Sequence, residues 1–286
     1  MAEDPKWPRA ASLITNENSA VGLIDIPAHK TSISQTSAHL TPKAIREALN
    51  RYSTFSYSTQ AEITTKLQDL GQIADPDENE AKTIEKIASA DKALTIALGG
   101  DNSITFAAAQ GAFKEALADA RLITLDAHHD LRDGISNGSP VRRLIEAGLK
   151  PQNIVQIGIN DFSNSADYAK QANDLGITVT SRTTVAAIGI SAACKLALGA
   201  ETGPIFVDID VDVCDRSVVP ACPAAAPGGI SAFELRQAAR LLASHPNVVG
   251  MDITEIDASK DSEDQRTVRL GALLVLEMLA GFQLRN

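Results

Sequence analysis

The sequence predicts an α/β protein whose central, mostly parallel β-sheet is covered by helices on both faces, as a three-layer sandwich. Short apolar segments of strand length alternate with segments of helical periodicity along most of the chain, which is typical of βαβ units. The 286 residues are 44% hydrophobic, enough for a sizeable core. We predict one domain over residues 20–286, preceded by an extended arm over the aperiodic residues 1–19.

The first half of the chain contains a clear helix start. Thr41 is followed by Pro42, and a capping residue before a proline suits the first helical turn. We expect this helix to reach about residue 53. The other predicted elements are a strand at 21–26, a charged helix face within 75–86, a strand at 94–98, a helix at 103–117, a strand at 122–125 and a helix at 140–147.

The second half contains a second helix start, because Ser231 and Glu234 have the spacing of a capping box. Strands are predicted at 154–157, 177–179, 205–209 and 248–253, and helices between the first two of these, at 184–198, from 231 to about 243, and at 267–281. The apolar stretch 271–282 contains Glu277 and is shorter than the ~20 residues that span a bilayer. No membrane segment is therefore expected.

Composition excludes several classes of protein. Asp and Glu outnumber Lys and Arg by 36 to 26, and only 4% of residues are aromatic, so a nucleic-acid partner is not expected. The three cysteines, Cys194, Cys214 and Cys222, show no metal-binding or disulfide spacing, which fits a reducing compartment. Because the first residues also lack a signal-peptide pattern, we expect a cytoplasmic location.

Four predicted strands end abruptly in polar residues: Gly99-Gly-Asp-Asn-Ser103, Asp126-Ala-His-His-Asp130, Asp208-Ile-Asp-Val-Asp212 and Asp252-Ile-Thr-Glu255. The carboxyl ends of parallel strands meet at one edge of a sheet, where ligands bind. Side chains two residues apart on a strand share a face, so we expect Asp126, His128 and Asp130 to point the same way, and likewise Asp210 and Asp212. Carboxylates and an imidazole without thiolates suit Mn²⁺ and similar metals, which would also relieve carboxylate repulsion.

The segments at 99–103 and 126–130, together with Asp210-Val-Asp-Val-Cys-Asp215, resemble the signature motifs of the ureohydrolases, which include arginase, agmatinase and formiminoglutamase. The resemblance extends over about 21–282. The segments 137–148, 155–159 and 223–229 are most similar to the formiminoglutamase (formimidoylglutamase) branch. The resemblance to the ureohydrolases implies an α/β/α sandwich around a mostly parallel sheet. It also implies assembly as a homo-oligomer, either a trimer or a hexamer.

The resemblance also implies a metal centre with two Mn²⁺ ions per subunit. Asp126 and Asp210 would bridge the ions, while His128 and Asp212 would complete the ligands of one ion. Asp130 would bind the other ion, orient the metal-bound hydroxide and relay its proton. Two cations lower the pKa of a shared water, and the hydroxide would attack the amidine carbon of the substrate.

The sequence departs from the family pattern at two positions. Asn102 stands where most members of the family carry a histidine that binds a metal. An amide oxygen is a weaker metal ligand than an imidazole nitrogen, so a site with one Mn²⁺ ion remains an alternative to a site with two. Asn137 replaces a histidine that assists proton transfer in arginases and agmatinases. His129 is expected to face away from the metals. Asp208 is expected either to support the ligands or to act as a local cap.

Predicted substrate contacts favour N-formimino-L-glutamate, hydrolysed to L-glutamate and formamide in histidine degradation. By the same resemblance, Glu255 stands at the position of a carboxylate that pairs with a cationic amidine or guanidinium, and Asn137 is a further candidate for catalysis and substrate binding. Arg132, Arg142 and Arg143 lie in loops expected to border the site, and arginine matches carboxylate geometry. The alternatives are an agmatinase- or guanidinobutyrase-like ureohydrolase that releases urea, and a metal-poor, non-catalytic relative.

Overall fold

The computed structural model describes residues 4–200 and 203–285. Nine strands form one sheet in the order β1-β5-β2-β6-β11-β10-β7-β8-β9, and every neighbouring pair in it is parallel. They are β1 (Ile14–Thr15), β2 (Val21–Ile26), β5 (Leu67–Gln72), β6 (Leu94–Gly99), β7 (Arg121–Leu125), β8 (Ile154–Ile159), β9 (Thr178–Ser181), β10 (Ile205–Ile209) and β11 (Val248–Ile253), while β3 (Phe55–Ser56) and β4 (Ala61–Glu62) form a separate antiparallel pair.

Helices cover both faces of the sheet. Neighbouring strand residues Leu23 and Ile24 belong to different apolar clusters, since successive side chains point to opposite faces. The helices are α1 (Thr41–Ala48), α2 (Glu80–Ala90), α3 (Ile104–Phe113), α4 (Pro140–Glu146), α5 (Ala166–Leu175), α6 (Arg182–Ile188), α7 (Ile190–Leu198), α8 (Ala232–Ala243) and α9 (Arg266–Gln283). Helices α1, α7, α8 and α9 contribute to the cluster of Leu23, and α2, α3, α4 and α5 to that of Ile24. The predicted three-layer α/β/α fold is confirmed.

Three predicted helices differ from the structure at their ends. Helix α1 ends at Ala48 and continues as a 3₁₀ turn, Leu49–Arg51. Helix α3 likewise gives way to a 3₁₀ segment, Lys114–Asp119. The segment predicted as one helix over 184–198 is two helices separated by Gly189, whose φ is +83°. Glycine adopts this left-handed backbone without strain, which explains the break.

Strand β5 was not predicted from the sequence. It lies between β2 and the two-residue edge strand β1, and its side chains are largely partly exposed. A partly exposed strand near the edge of a sheet needs no continuous apolar run, so the sequence pattern of β5 resembles that of a loop. Part of the segment predicted as an arm packs here, because Ala10 and Leu13 are buried and Ile14–Thr15 pairs with β5. Within the described ranges, no helix is long and apolar enough to cross a membrane.

Gly100 permits a close approach between the segments that follow strands β6 and β2, at the carboxyl edge of the sheet. A Cβ atom at this position would lie 1.8 Å from the carbonyl oxygen of Ala28. Ala28 cannot retreat easily, because its carbonyl accepts the N–H of Asp101 at 2.9 Å. We therefore expect Gly100→Ala to lower the free energy of unfolding by about 3 kcal/mol, as severe overpacking does.

Urea unfolding measures this effect, with Gly134→Ala as the control. Gly134 has a φ of +77°, but no atom lies within 4 Å of the position that an alanine methyl group would take, so only backbone strain, about 1 kcal/mol, is expected. Equal losses in the two variants would show that the contact with Ala28 is not what requires glycine.

Candidate active site

The candidate site is a cleft of about 400 Å³ beyond the carboxyl ends of the central strands. Strand β7 leads directly into Asp126, and strand β10 leads into Asp210. The residues predicted from the polar strand ends therefore meet at one edge of the sheet. Among the residues singled out from the sequence, those that line the cleft are His128, His129, Asp130, Arg132, Asn137, Asp210, Asp212 and Glu255.

The centre of the site is a group of three potential metal ligands. One ligand atom from each of Asp126, His128 and Asp212 lies within 4.8 Å of the other two. Nδ1 of His128 is 2.7 Å from Oδ2 of Asp212 and 3.5 Å from Oδ1 of Asp126. Although burial alone lowers the pKa of His128, hydrogen bonds to these two carboxylates raise it to about 12. The two carboxylates therefore favour positive charge at this position.

Burial and mutual repulsion make the charged form of these clustered carboxylates unfavourable when no cation is bound. Desolvation, followed by repulsion from Asp130 and Asp212, raises the pKa of Asp126 well above its usual range. Desolvation and repulsion from Asp212 and Asp126 do the same for Asp210. Oδ2 of Asp126 is buried and has no hydrogen-bond partner among the described residues. Buried charges are normally paired or bound to metals, so these residues fit a divalent cation.

Local turns, rather than strand pleating, bring the acids together. Strand β7 ends at Leu125, and Asp130 has a left-handed backbone with φ +54°. Asp210 caps a 3₁₀ turn, where its Oδ1 accepts the N–H of Asp212 at 2.9 Å. The expectation that these residues alternate along extended strands was therefore wrong, since the turns begin where each strand ends.

Asn102 contacts the site through its amino group. Its Nδ2 donates to Oδ2 of Asp130 at 2.7 Å, while its Oδ1 accepts hydrogen bonds from the hydroxyls of Thr105 and Thr254, both at 2.9 Å. The amide therefore presents a donor to Asp130 and holds its oxygen away from it. Neither threonine was predicted as a site residue, although Thr254 adjoins Glu255 in the same motif.

Two further predicted residues lie around this centre. Nδ1 of the His129 ring contacts Oε1 of Gln156 at 2.7 Å, and the backbone N–H of His129 donates to Oδ1 of Asn164 at 3.0 Å. Asp208 is fully buried beside Asp252, and desolvation together with repulsion from Asp252 raises its pKa. Asp208 and Asp252 thus form an acidic pair beneath the cleft, in which Asp252 was not predicted as a site residue.

Glu255 lies deep in the cleft and is held by two donors. Its Oε1 accepts the N–H of Asn102 at 2.7 Å and Nδ2 of Asn137 at 2.9 Å. Desolvation, followed by repulsion from Asp101, raises the pKa of Glu255 to about 8. Its φ of +63° is rare for a residue with a side chain, and strained backbone of this kind often occurs at functional sites.

The three predicted arginines have different surroundings. Arg132 lines the cleft. Arg143 instead forms two 2.7 Å hydrogen bonds with Glu80 and stacks on the ring of Phe106. Arg142 donates to Glu146 and to the carbonyls of Arg132 and Gly134. The expectation that all three border the cleft was wrong, because nearer acceptors hold Arg142 and Arg143 elsewhere.

A larger cavity, of about 820 Å³, lies between the β3–β4 hairpin and helices α8 and α9. It shares no lining residue with the cleft. Its acidic residue, Glu277, is paired with Arg236 and Arg240. We place the chemistry in the smaller cleft, because the grouped potential ligands lie there.

Comparison with known proteins agrees with this site. The model of the arginase family matches residues 19–281. The chain belongs to the arginase family. The ureohydrolase resemblance predicted from the motifs is thereby confirmed, and the match covers the four polar strand ends together with Glu255.

Individual relatives place the chain near one branch. It is 38% identical over 279 residues to a formimidoylglutamase of Halalkalibacterium halodurans, covering 91% of this chain and 86% of the relative. The crystal structure of formimidoylglutamase from Bacillus subtilis is 30% identical, with a TM-score of 0.89 over 99% of this chain and 95% of that one. Trypanosoma cruzi formiminoglutamase with Mn²⁺, at 24% identity, has the same fold, with a TM-score of 0.90 over 98% and 100% of the two chains.

Proposed function

We propose that this protein is a Mn²⁺-dependent formimidoylglutamase that hydrolyses N-formimino-L-glutamate to L-glutamate and formamide. The observation that carries the proposal is one cleft lined by His128 and Asp212, which form a group of potential ligands with the buried Asp126, and by Glu255 and Arg132. The similarity to formimidoylglutamases over nine-tenths of the chain supports the same reaction. We propose the cytoplasm as its location and a homo-oligomer as its assembly.

Four residues are proposed to hold one Mn²⁺ ion: Asp126, His128, Asp210 and Asp212. A second ion would share Asp126 and Asp210 and add Asp130. When bound, Mn²⁺ supplies Lewis-acid chemistry that activates water at neutral pH. Asn102 turns its amino group, not its oxygen, toward Asp130, so the second site gains no ligand oxygen from this residue. We therefore propose that the two sites differ in affinity, and that the second is the weaker.

The chain's own groups are proposed to bind and orient the substrate. Glu255 would pair with the cationic formimino group, since Oε2 accepts no hydrogen bond from the described residues. Asp130, held by Asn102, would accept a proton from the attacking water and deliver it to the leaving nitrogen. Among the described residues that line the cleft, Arg132 is the only Arg or Lys. It would bind a carboxylate of the glutamate portion and would repel the distal ammonium of agmatine.

The experiment that tests this function is product analysis with Mn²⁺-loaded protein. N-formimino-L-glutamate should yield equal amounts of glutamate and formamide, without urea or ammonia as initial products. Urea released from a guanidino acid, with no turnover of the formimino substrate, would instead identify the alternative ureohydrolase activity. Mn²⁺ binding without turnover of either substrate would favour a non-catalytic relative.

Arg132→Ala is expected to raise KM for N-formimino-L-glutamate by about 10- to 100-fold, with a smaller change in kcat. A hydrogen bond to a charged group contributes about 1.5–3 kcal/mol, and this contact lies away from the reacting carbon. Steady-state kinetics measures the effect. Arg266→Ala is the control, because that side chain contacts Asp264 and the carbonyl of Ser217, outside the cleft. An unchanged KM in the Arg132 variant would remove the proposed carboxylate contact.

A further inference from the structure

The two carboxylate oxygens of Glu255 have unequal surroundings. Oε1 accepts two hydrogen bonds, from the N–H of Asn102 at 2.7 Å and from Nδ2 of Asn137 at 2.9 Å. A carboxylate oxygen has about two lone-pair positions, so Oε1 has no capacity left for a ligand. Oε2 has no hydrogen-bond donor among the described residues, and Glu255 lines the cleft. Only half of the carboxylate is therefore available to a substrate.

Asn137 is held in the orientation that fills Oε1. Its own Oδ1 accepts the N–H of Ile33 at 2.9 Å, so the oxygen faces the Ile33 loop and the amino group faces Glu255. The other donor to Oε1 is the main chain of Asn102, which no side-chain change removes. Asn137 is thus the one side chain among the described residues that controls how much of Glu255 is open.

The number of free acceptor positions on Glu255 matters because the two candidate substrate cations differ in their number of N–H donors. An N-substituted guanidinium has five N–H groups, as in arginine, whereas an N-substituted formamidinium has three, with a C–H where the extra amino group would be. Pairing a guanidinium in a fork uses both oxygens of a carboxylate. A buried N–H group without an acceptor is costly, and such unpaired groups are a strong basis for substrate rejection.

We propose that Asn137 determines the specificity of this site: by occupying Oε1 of Glu255, it admits a formamidinium group and rejects a guanidinium group. This inference rests on the proposed pairing of Glu255 with the substrate cation. It assigns to Asn137 a role in substrate selection, in place of the proton transfer attributed to histidine at this position in related enzymes.

The test uses two substrates that differ in one group. N-formimino-L-glutamate and N-amidino-L-glutamate are identical except that the second has an amino group in place of the hydrogen on the formimino carbon. We expect Asn137→Ala to lower the ratio of their kcat/KM values by at least about tenfold, since one freed charged acceptor is worth at least that much. The shift should come from faster hydrolysis of the amidino compound, seen as urea release. Equal losses for both substrates would overturn the proposal.

A second variant separates specificity from support of the loop. Asn137→Asp keeps an oxygen that can accept the N–H of Ile33 but removes the amino group that fills Oε1 of Glu255. The substrate ratio should fall as it does in Asn137→Ala, even where overall activity changes. A ratio near that of the parent protein in this variant would assign the effect of Asn137→Ala to lost support of the loop and overturn the proposal.

Binding of simple cations gives a readout that needs neither turnover nor a folded variant. Calorimetry on the Mn²⁺-loaded parent protein should show formamidinium chloride binding at least about tenfold more tightly than guanidinium chloride. Equal affinities would contradict the inference. If formamidinium is preferred but N-formimino-L-glutamate is not hydrolysed, the proposed function fails while the role of Asn137 stands.

Discussion

Asp210→Ala is expected to abolish Mn²⁺ binding and to reduce hydrolysis by more than about 100-fold. Residues that merely support metal ligands cost 10- to 100-fold when lost, and Asp210 is proposed as a ligand shared by both ions. The metal-free variant should melt close to the metal-free parent, because the lost repulsion with Asp126 and Asp212 is offset by the lost cap on the N–H of Asp212. It should then lack the stabilisation that Mn²⁺ gives the parent.

Metal analysis and thermal melting with and without Mn²⁺ measure these effects. Asp215→Asn is the matched control, because Asp215 belongs to the same motif but binds Ser217 and the N–H of Gly228 instead of the acidic group. Its metal content should equal that of the parent. Full Mn²⁺ content in the Asp210 variant would refute the proposed metal centre.

Glu255→Gln is expected to lower kcat/KM by about 10²- to 10³-fold while metal content stays unchanged. The amide can still accept the N–H of Asn102 and the amino group of Asn137, so the fold around it is retained. It would, however, present an NH₂ group to a cationic substrate, and loss of one member of a buried charge pair costs about 3–5 kcal/mol.

The control for this variant is Glu277→Gln. Glu277 is also buried, but it pairs with Arg236 and Arg240 outside the cleft. Urea unfolding should show a loss of stability for Glu277→Gln, whereas its kcat/KM should match that of the parent. If both variants lost activity to the same degree, the effect at Glu255 would be attributable to damage to the buried packing.

The parts of the fold that sequence could predict are those with a purely local signal. Strands such as Val21–Ile26 and Val248–Ile253 are apolar runs between turns, and the structure has them at the predicted bounds. The capping box of Ser231 and Glu234 likewise starts helix α8. Strand β5 has no such signal, since its polar residues are stabilised by pairing with β1 and β2 rather than by burial.

The same distinction applies to the candidate site. The position of the motifs at the carboxyl ends of parallel strands was sufficient to predict that Asp126, His128 and Asp212 would converge. Contacts between distant segments were not predictable: Arg143 pairs with Glu80, 63 residues away, and Thr254 fixes the amide of Asn102 from 152 residues away. Side-chain orientation in a loop depends on which partner folds beside it, and one sequence does not contain that information.

The central claim is that Mn²⁺ in this acidic group makes the protein a formimidoylglutamase. The most direct measurement is to titrate metal-free protein with Mn²⁺ while following both bound metal and formamide release from N-formimino-L-glutamate. We expect no formamide without metal, and a rate that rises in step with Mn²⁺ bound by the parent protein. Formamide release that is independent of Mn²⁺, or fully loaded protein that releases none, would contradict the account.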